Sequence, residues 1–277
     1  MRVPVLTYHA VNVAGGDYAG NDHVALAEDL RLIQRLGLRV QPLARVVDVL
    51  LGESGADLSR TVALSCDDGS DLDVRDLDWP GVGPQRGFLN ILRDFTAEHG
   101  AAAQPGLHLT AFVIASPAAR ARLDQRALHG LGWMNEDWWP SAQASGLMAI
   151  ENHSLDHNHP LLDGPGPDGM PRGDFYAVDN QARARVEIAE AARYIDARIA
   201  PARTSLFCYP FGDAPDYLRH EYLPRFQAEH GMRAAFGVEA CPVTAASDRW
   251  HLPRYVCGFH WKAPAELEAI LRDTALA

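Results

Sequence analysis

Short apolar runs alternate with amphipathic stretches along the whole chain. The runs at 3–7, 38–42, 62–66, 109–115, 147–151, 205–209 and 234–238 are bounded by turn residues and predict strands. Between them, Leu26, Leu30 and Ile33 recur at helical spacing, and Gly37 supplies the stop. Further helices are predicted over 43–51, 87–99, 117–129, 181–200 and 264–276. In the longest, Ile188, Ala192, Ile195 and Ile199 share one face.

Strands that alternate with helices imply a parallel sheet. Some seven strands in about 250 residues fit a closed barrel better than a small open sheet, although periodicity alone does not separate a barrel from a doubly wound sheet. In both architectures the active site gathers at the C-terminal ends of the strands. Two segments fit no element: 70–86, which is polar and contains Pro80 and Pro84, and the loop DGPGPDGMPRGD at 163–174. Loops this long are typically functional or mobile. No composition shift marks a linker, so residues 1–277 are expected to form one domain.

Composition narrows the function classes. The chain has 277 residues, 47% of them hydrophobic, which is enough for a substantial core. A net charge of −11 argues against a nucleic-acid partner and against docking on anionic lipid. The four cysteines, Cys66, Cys208, Cys241 and Cys257, form no CxxC pair and so suggest no cysteine zinc site. The opening MRVPVLTYHAV has no charged leader before a long apolar stretch, and no apolar run reaches roughly 18 residues. The expectation is a soluble, cytoplasmic protein with no membrane insertion and with reduced cysteines.

The strand ends carry the chemistry. The run Val62–Cys66 stops at Asp67-Asp68-Gly69. Asp-Gly is a turn signal, but a turn does not require two like charges. The run at 147–151 leads into ENHSLDHNHP, where His153 and His157 are four residues apart with Asp156 and His159 nearby. A lone HxxxH is commonly a pair of solvated histidines. Two imidazoles and a carboxylate, each at the end of an apolar run, are a suitable donor set for zinc or a similar divalent ion. Three protein ligands leave a position for water, the catalytic arrangement. Other strand ends bring His9, the stretch Cys208-Tyr209-Pro210-Phe211-Gly212, and Arg254 within Leu252-Pro253-Arg254.

Taken together, these motifs resemble the polysaccharide deacetylases, also called the NodB-homology or carbohydrate esterase family 4 group. Ser65-Cys66-Asp67-Asp68-Gly69 is similar to the family's Thr-Phe-Asp-Asp-Gly, and His153-Ser154-Leu155-Asp156-His157 to its His-Ser/Thr-x-x-His. Residues 208–212 are similar to Arg-x-Pro-Tyr/Phe-Gly except at Cys208, and Leu6-Thr7-Tyr8-His9 resembles the start of many members. The resemblance implies a distorted (β/α)7-type barrel and hydrolysis of N- or O-linked acetyl groups on a carbohydrate. It implies Asp67 as the base and Asp68, His153 and His157 as ligands of a divalent metal, with zinc first and cobalt, nickel or manganese as alternatives.

A backbone N–H near Tyr209 is the expected oxyanion donor, with Tyr209 and Pro210 placed against substrate. Ser154 is expected to brace the ligand loop. Where the family carries its arginine, this chain has Cys208, and Arg254 is the expected replacement partner of Asp67. No clean copy of the family's later Leu-x-His is present, so His9 is the preferred general acid and His260 the second choice. Trp138 and Trp139, with Trp133, are candidates for a sugar-facing surface. Asp71, Asp73, Asp76 and Asp78 read as a solvated acidic rim. Two rival readings are a hydrolase of another C–N bond, such as a cyclic amide, and a carbohydrate-binding relative without activity.

Overall fold

The computed structural model describes residues 1–276. Its central sheet is built from β1 (Val5–Tyr8), β2 (Arg39–Val40), β3 (Thr61–Cys66), β4 (Leu109–Val113), β5 (Met148–Asn152), β6 (Leu206–Cys208), β7 (Ala234–Phe236) and β8 (Tyr255–Val256). The strands are parallel and lie in the order β7-β6-β5-β4-β3-β1-β8, with β2 beside the start of β3. Every residue of β3 and β4 is buried, because a parallel sheet is covered on both faces. This is why these strands read as continuous apolar runs. Each fully buried Val or Leu contributes about 1.5–3 kcal/mol.

The sheet curls back on itself through the segment that contains β8. Leu252 bridges Phe236 at one edge, with its N–H on the Ala235 carbonyl at 2.8 Å. Three residues later Tyr255 and Val256 pair with Leu6 and Thr7 at the other edge. The result is the distorted barrel expected from the sequence.

The helices flank this sheet. They are α1 (Asp22–Arg35), α2 (Leu43–Leu50), α3 (Phe88–His99), α4 (Pro117–Ala127), α5 (Trp139–Ala144), α6 (181–199) and α7 (Pro264–Thr274). Asn21 caps α1 by accepting from the N–H groups of His23 and Val24, and the buried face holds Leu26, Leu30 and Ile33 as their spacing predicts. Ser116 caps α4, and Pro117 takes the first helical position, where a missing N–H costs nothing. A π-helical stretch, Arg185–Glu190, widens α6 behind β5. Among the described residues, no helix is long and apolar enough to cross a membrane.

Several elements differ from expectation. The segment 70–86 is not structureless: Leu77–Trp79 pairs antiparallel with Gly83–Gln85. Arg2–Val3 likewise pairs with Val243–Thr244. β8 and these short ribbons hold two or three residues per strand, too few for periodicity to register. The short helix α5 has Pro140 near its start, and the same proline reads as a turn signal in the sequence.

Candidate active site

The C-terminal ends of β1, β3, β5 and β6 and the segment before β8 meet at one cavity of about 490 Å³. The local chain path of the Asp doublet explains its placement. Asp67 continues the strand, its N–H donating to the Tyr8 carbonyl at 3.1 Å. Asp68 and Gly69 then both take positive φ, +76° and +78°. A Cβ on Gly69 would lie 2.7 Å from a Val113 methyl, so this position requires glycine. The turn sends the two carboxylates to different partners.

Asp67 faces the β8 side. Its Oδ1 and Oδ2 each accept a hydrogen bond from the Arg254 guanidinium at 2.8 Å. Arg254 is 0% exposed, and its Nε donates to the Gly237 carbonyl at 2.9 Å. Burial alone would raise the Asp67 carboxyl, but the Arg254 charge and its hydrogen bonds hold it well below the usual carboxylate range. Cys208 lies against the same pair, with its sulfur 2.8 Å from an Arg254 nitrogen and 3.6 Å from Asp67 Oδ2. Burial pushes the Cys208 thiol up, so it stays protonated. His9 Nε2 stands 4.0 Å from Asp67 Oδ2 on the cavity wall, and the His9 N–H donates to Asp22.

Asp68 faces the β5 side. Its Oδ1 lies 3.6 Å from His153 Nε2 and 3.7 Å from His157 Nε2. The three ligating atoms lie within 4.8 Å of one another. His153 Nδ1 is 2.9 Å from the Cys208 carbonyl, which can only accept. A neutral His153 therefore carries its proton on Nδ1 and presents a lone pair at Nε2. Two imidazole nitrogens and one carboxylate oxygen converging on a single point fit a divalent cation such as zinc. The loop that holds them is over-determined. Ser154 Oγ accepts from the His157 N–H at 2.8 Å, and Asn152 accepts from the Ser154 N–H at 2.9 Å. Asn152 also donates to the Ile188 carbonyl of the π-helical turn at 2.9 Å.

Other expected residues fall elsewhere. Trp138 and Trp139 are 3% and 0% exposed and pack in the core rather than on the cavity, so no sugar reaches them. Trp133 packs on Trp79, ring centroids 5.8 Å apart. Tyr209 lines the cavity, but its N–H is spent on the Phe236 carbonyl at 3.0 Å and cannot serve an oxyanion. Pro210 is buried and does not line the cavity, whereas Phe211 and Gly212 do. Phe211 adopts φ +59° and sets its ring edge-on to His157, centroids 4.4 Å apart. His260 does not line the cavity; its Nδ1 accepts the Val256 N–H at 2.8 Å.

The acidic rim holds only in part: Asp76 and Asp78 are exposed as expected, whereas Asp71 and Asp73 are not. Asp71 is buried against Asn135 and Arg75. Asp73 is fully buried, with neither carboxylate oxygen hydrogen-bonded, and burial together with Asp68, Asp71 and Asp67 pushes its carboxyl far up. Sequence reasoning missed the apolar walls of the cavity, Ile114, Leu123, Leu128, Met134 and Phe259 among them. The motif at 208–212 supplies Tyr209, Phe211 and Gly212 to the same lining.

The geometry agrees with what similarity to known proteins indicates. No curated protein matches the chain in sequence. Among solved structures, the deacetylase PplD of Streptococcus pyogenes, in complex with acetate, superposes with a TM-score of 0.63 at 16% identity, over 98% of each chain. IcaB from Ammonifex degensii gives 0.62 at 16%, over 98% of this chain and 97% of that one. BA0330 from Bacillus anthracis gives 0.59 at 12% and covers 92% of this chain, which spans 65% of that protein's length. At these identities the likeness is one of fold. The family described as polysaccharide deacetylase matches residues 55–234, well over half of the sequence, and the chain belongs to the polysaccharide deacetylase family.

Proposed function

We propose that the chain is a metal-dependent hydrolase that removes N- or O-linked acetyl groups from a carbohydrate. The observation that carries this reading is the convergence of Asp68, His153 and His157 beside a second carboxylate, Asp67, whose charge is fixed by Arg254. Two neighbouring carboxylates with opposite partners suit two separate roles.

Asp68, His153 and His157 hold the divalent ion, zinc first among the candidates. When bound, such an ion lowers the pKa of a coordinated water and polarises the acetyl carbonyl. Asp67 takes the proton from the attacking water. Arg254 orients Asp67 and keeps it ionised, so the base is ready without prior deprotonation. His9, across the cavity from the ligand histidines, gives a proton to the departing amine or alcohol. The C–N or C–O bond breaks, acetate leaves, and water supplies both the oxygen on acetate and the protons. PplD, whose structure holds acetate, is a fold relative consistent with this product.

The substrate proposed is an acetylated oligo- or polysaccharide. The test is acetate release from chito-oligosaccharides and acetylated xylan by protein loaded in turn with zinc, cobalt, nickel and manganese. Metal-dependent release from at least one carbohydrate is the expected result. Opening of a cyclic amide with no acetate release would replace this reading with another hydrolase activity. Metal binding without any hydrolysis would leave a carbohydrate-binding protein.

A further inference from the structure

We propose that the cavity beside the metal ligands takes an acyl chain longer than acetyl, making the chain a deacylase for medium-chain N-acyl or O-acyl sugars. This rests on the function proposed above and specifies its substrate. Its basis is the size and lining of the cavity. A volume of about 490 Å³ falls in the range of roughly 300–1,000 Å³ that accommodates a whole small molecule.

The lining is divided by chemistry. The polar groups sit on the floor at the strand ends: Asp67, Asp68, His153 and His157. Ile114, Leu123, Leu128 and Met134 form an apolar wall on one side, Phe211 joins the lining, and Val11, Val256 and Phe259 add apolar surface on the side of β1 and β8. Phe211 and Phe259 are 46% and 76% exposed.

Topology says which part of the substrate this wall faces. The Ile114 N–H donates to the Asp68 carbonyl at 3.3 Å, and the Ser116 N–H to the Leu155 carbonyl at 2.6 Å. The wall therefore rises directly from the ligand side of the site, from the residue after β4, from α4 and from the segment that follows it. His9 and Arg254 lie on the opposite side, at β1 and β8. The leaving group must reach its proton donor at His9. The other substituent of the carbonyl carbon, the acyl chain, then points toward Ile114 and α4. A sugar amine leaves past His9, and a fatty carboxylate remains against the wall.

The experiment compares glucosamine carrying N-acetyl, N-butanoyl, N-hexanoyl and N-octanoyl groups, using zinc-loaded full-length protein and measuring free amine. The kcat/KM is expected to rise with chain length, about fourfold for each methylene that enters the wall. Ala127→Trp, which places a large ring on the α4 lining, is expected to lower the octanoyl-to-acetyl ratio at least tenfold. Acetyl hydrolysis with a flat or falling series would overturn the acyl assignment and leave the deacetylase reading intact. A flat acyl series with strong preference for the octyl glycoside of N-acetylglucosamine would assign the wall to the leaving group and also overturn it. No hydrolysis of any acyl sugar, together with no acetate release from the polymers above, would remove both.

Discussion

Arg254 holds both carboxylate oxygens of Asp67, at 2.8 Å each, from the segment that joins the two edges of the sheet. The pair is almost completely buried, so neither charge has water to fall back on. Removing one partner of such a pair strands the other and costs about 3–5 kcal/mol. Arg254→Met is therefore expected to lower unfolding free energy by about that amount in a denaturant titration. Its kcat for acetate release is expected to fall about 10²-fold or more, because the base is no longer oriented or held ionised.

Ser154 touches no expected substrate position, yet its hydroxyl accepts the His157 N–H and fixes the bend of the ligand loop. Ser154→Ala is expected to weaken zinc binding about 10- to 100-fold, as loss of a supporting hydrogen bond does at other metal sites. Calorimetric titration of the metal-free protein reads this directly. Excess zinc should restore most of the activity, which separates a loosened ligand loop from a damaged catalytic group.

Loss of the ligands themselves should be more severe. The double variant His153→Ala, His157→Ala leaves Asp68 alone and is expected to abolish stoichiometric zinc binding. Chelation of the wild type is expected to stop acetate release, and added zinc to restore it. Metal binding that survives in the double variant would place the ion elsewhere.

Asp29 on α1 offers a pH test away from the metal ligands. It accepts hydrogen bonds from Tyr8 at 2.8 Å and Tyr18 at 2.6 Å, and burial raises its carboxyl to about 7. The native state then keeps a proton that the unfolded chain releases near pH 4. Between about pH 4 and about pH 7 the folded form binds more protons, so stability falls as pH rises, by up to about 1.4 kcal/mol per pH unit, and is flat beyond. Asp29→Asn cannot titrate and is expected to flatten the melting temperature across that window. An equally steep curve in the variant would assign the slope to another group.

Much of the site was legible because strand ends in a parallel barrel are where chemistry collects. Asp67, Asp68, His153, His157, His9 and Arg254 all stand out in the sequence, and all six line one cavity. The strands that carry most of them were legible for the same reason, as buried parallel strands form unbroken apolar runs. β8 was not, because two residues have no period, yet its lead-in places Arg254. Tryptophan content did not report exposure: Trp138 and Trp139 are apolar mass that the core absorbs. The Tyr209 N–H is taken by the Phe236 carbonyl of a neighbouring strand, a partner whose register the sequence does not reveal. Asp71 and Asp73 look solvated in one dimension, and only the fold buries them.

The central claim is that two adjacent carboxylates have separate duties, Asp68 on the metal and Asp67 on the proton. Asp67→Asn tests it most directly, with zinc affinity and acetate release measured on the same preparation. Asparagine keeps the shape and one acceptor for Arg254 but cannot take a proton from water. Zinc affinity is expected to stay near that of the wild type while acetate release falls about 10²- to 10⁴-fold. A variant that releases acetate at the wild-type rate, or that loses zinc along with activity, would contradict the division of labour.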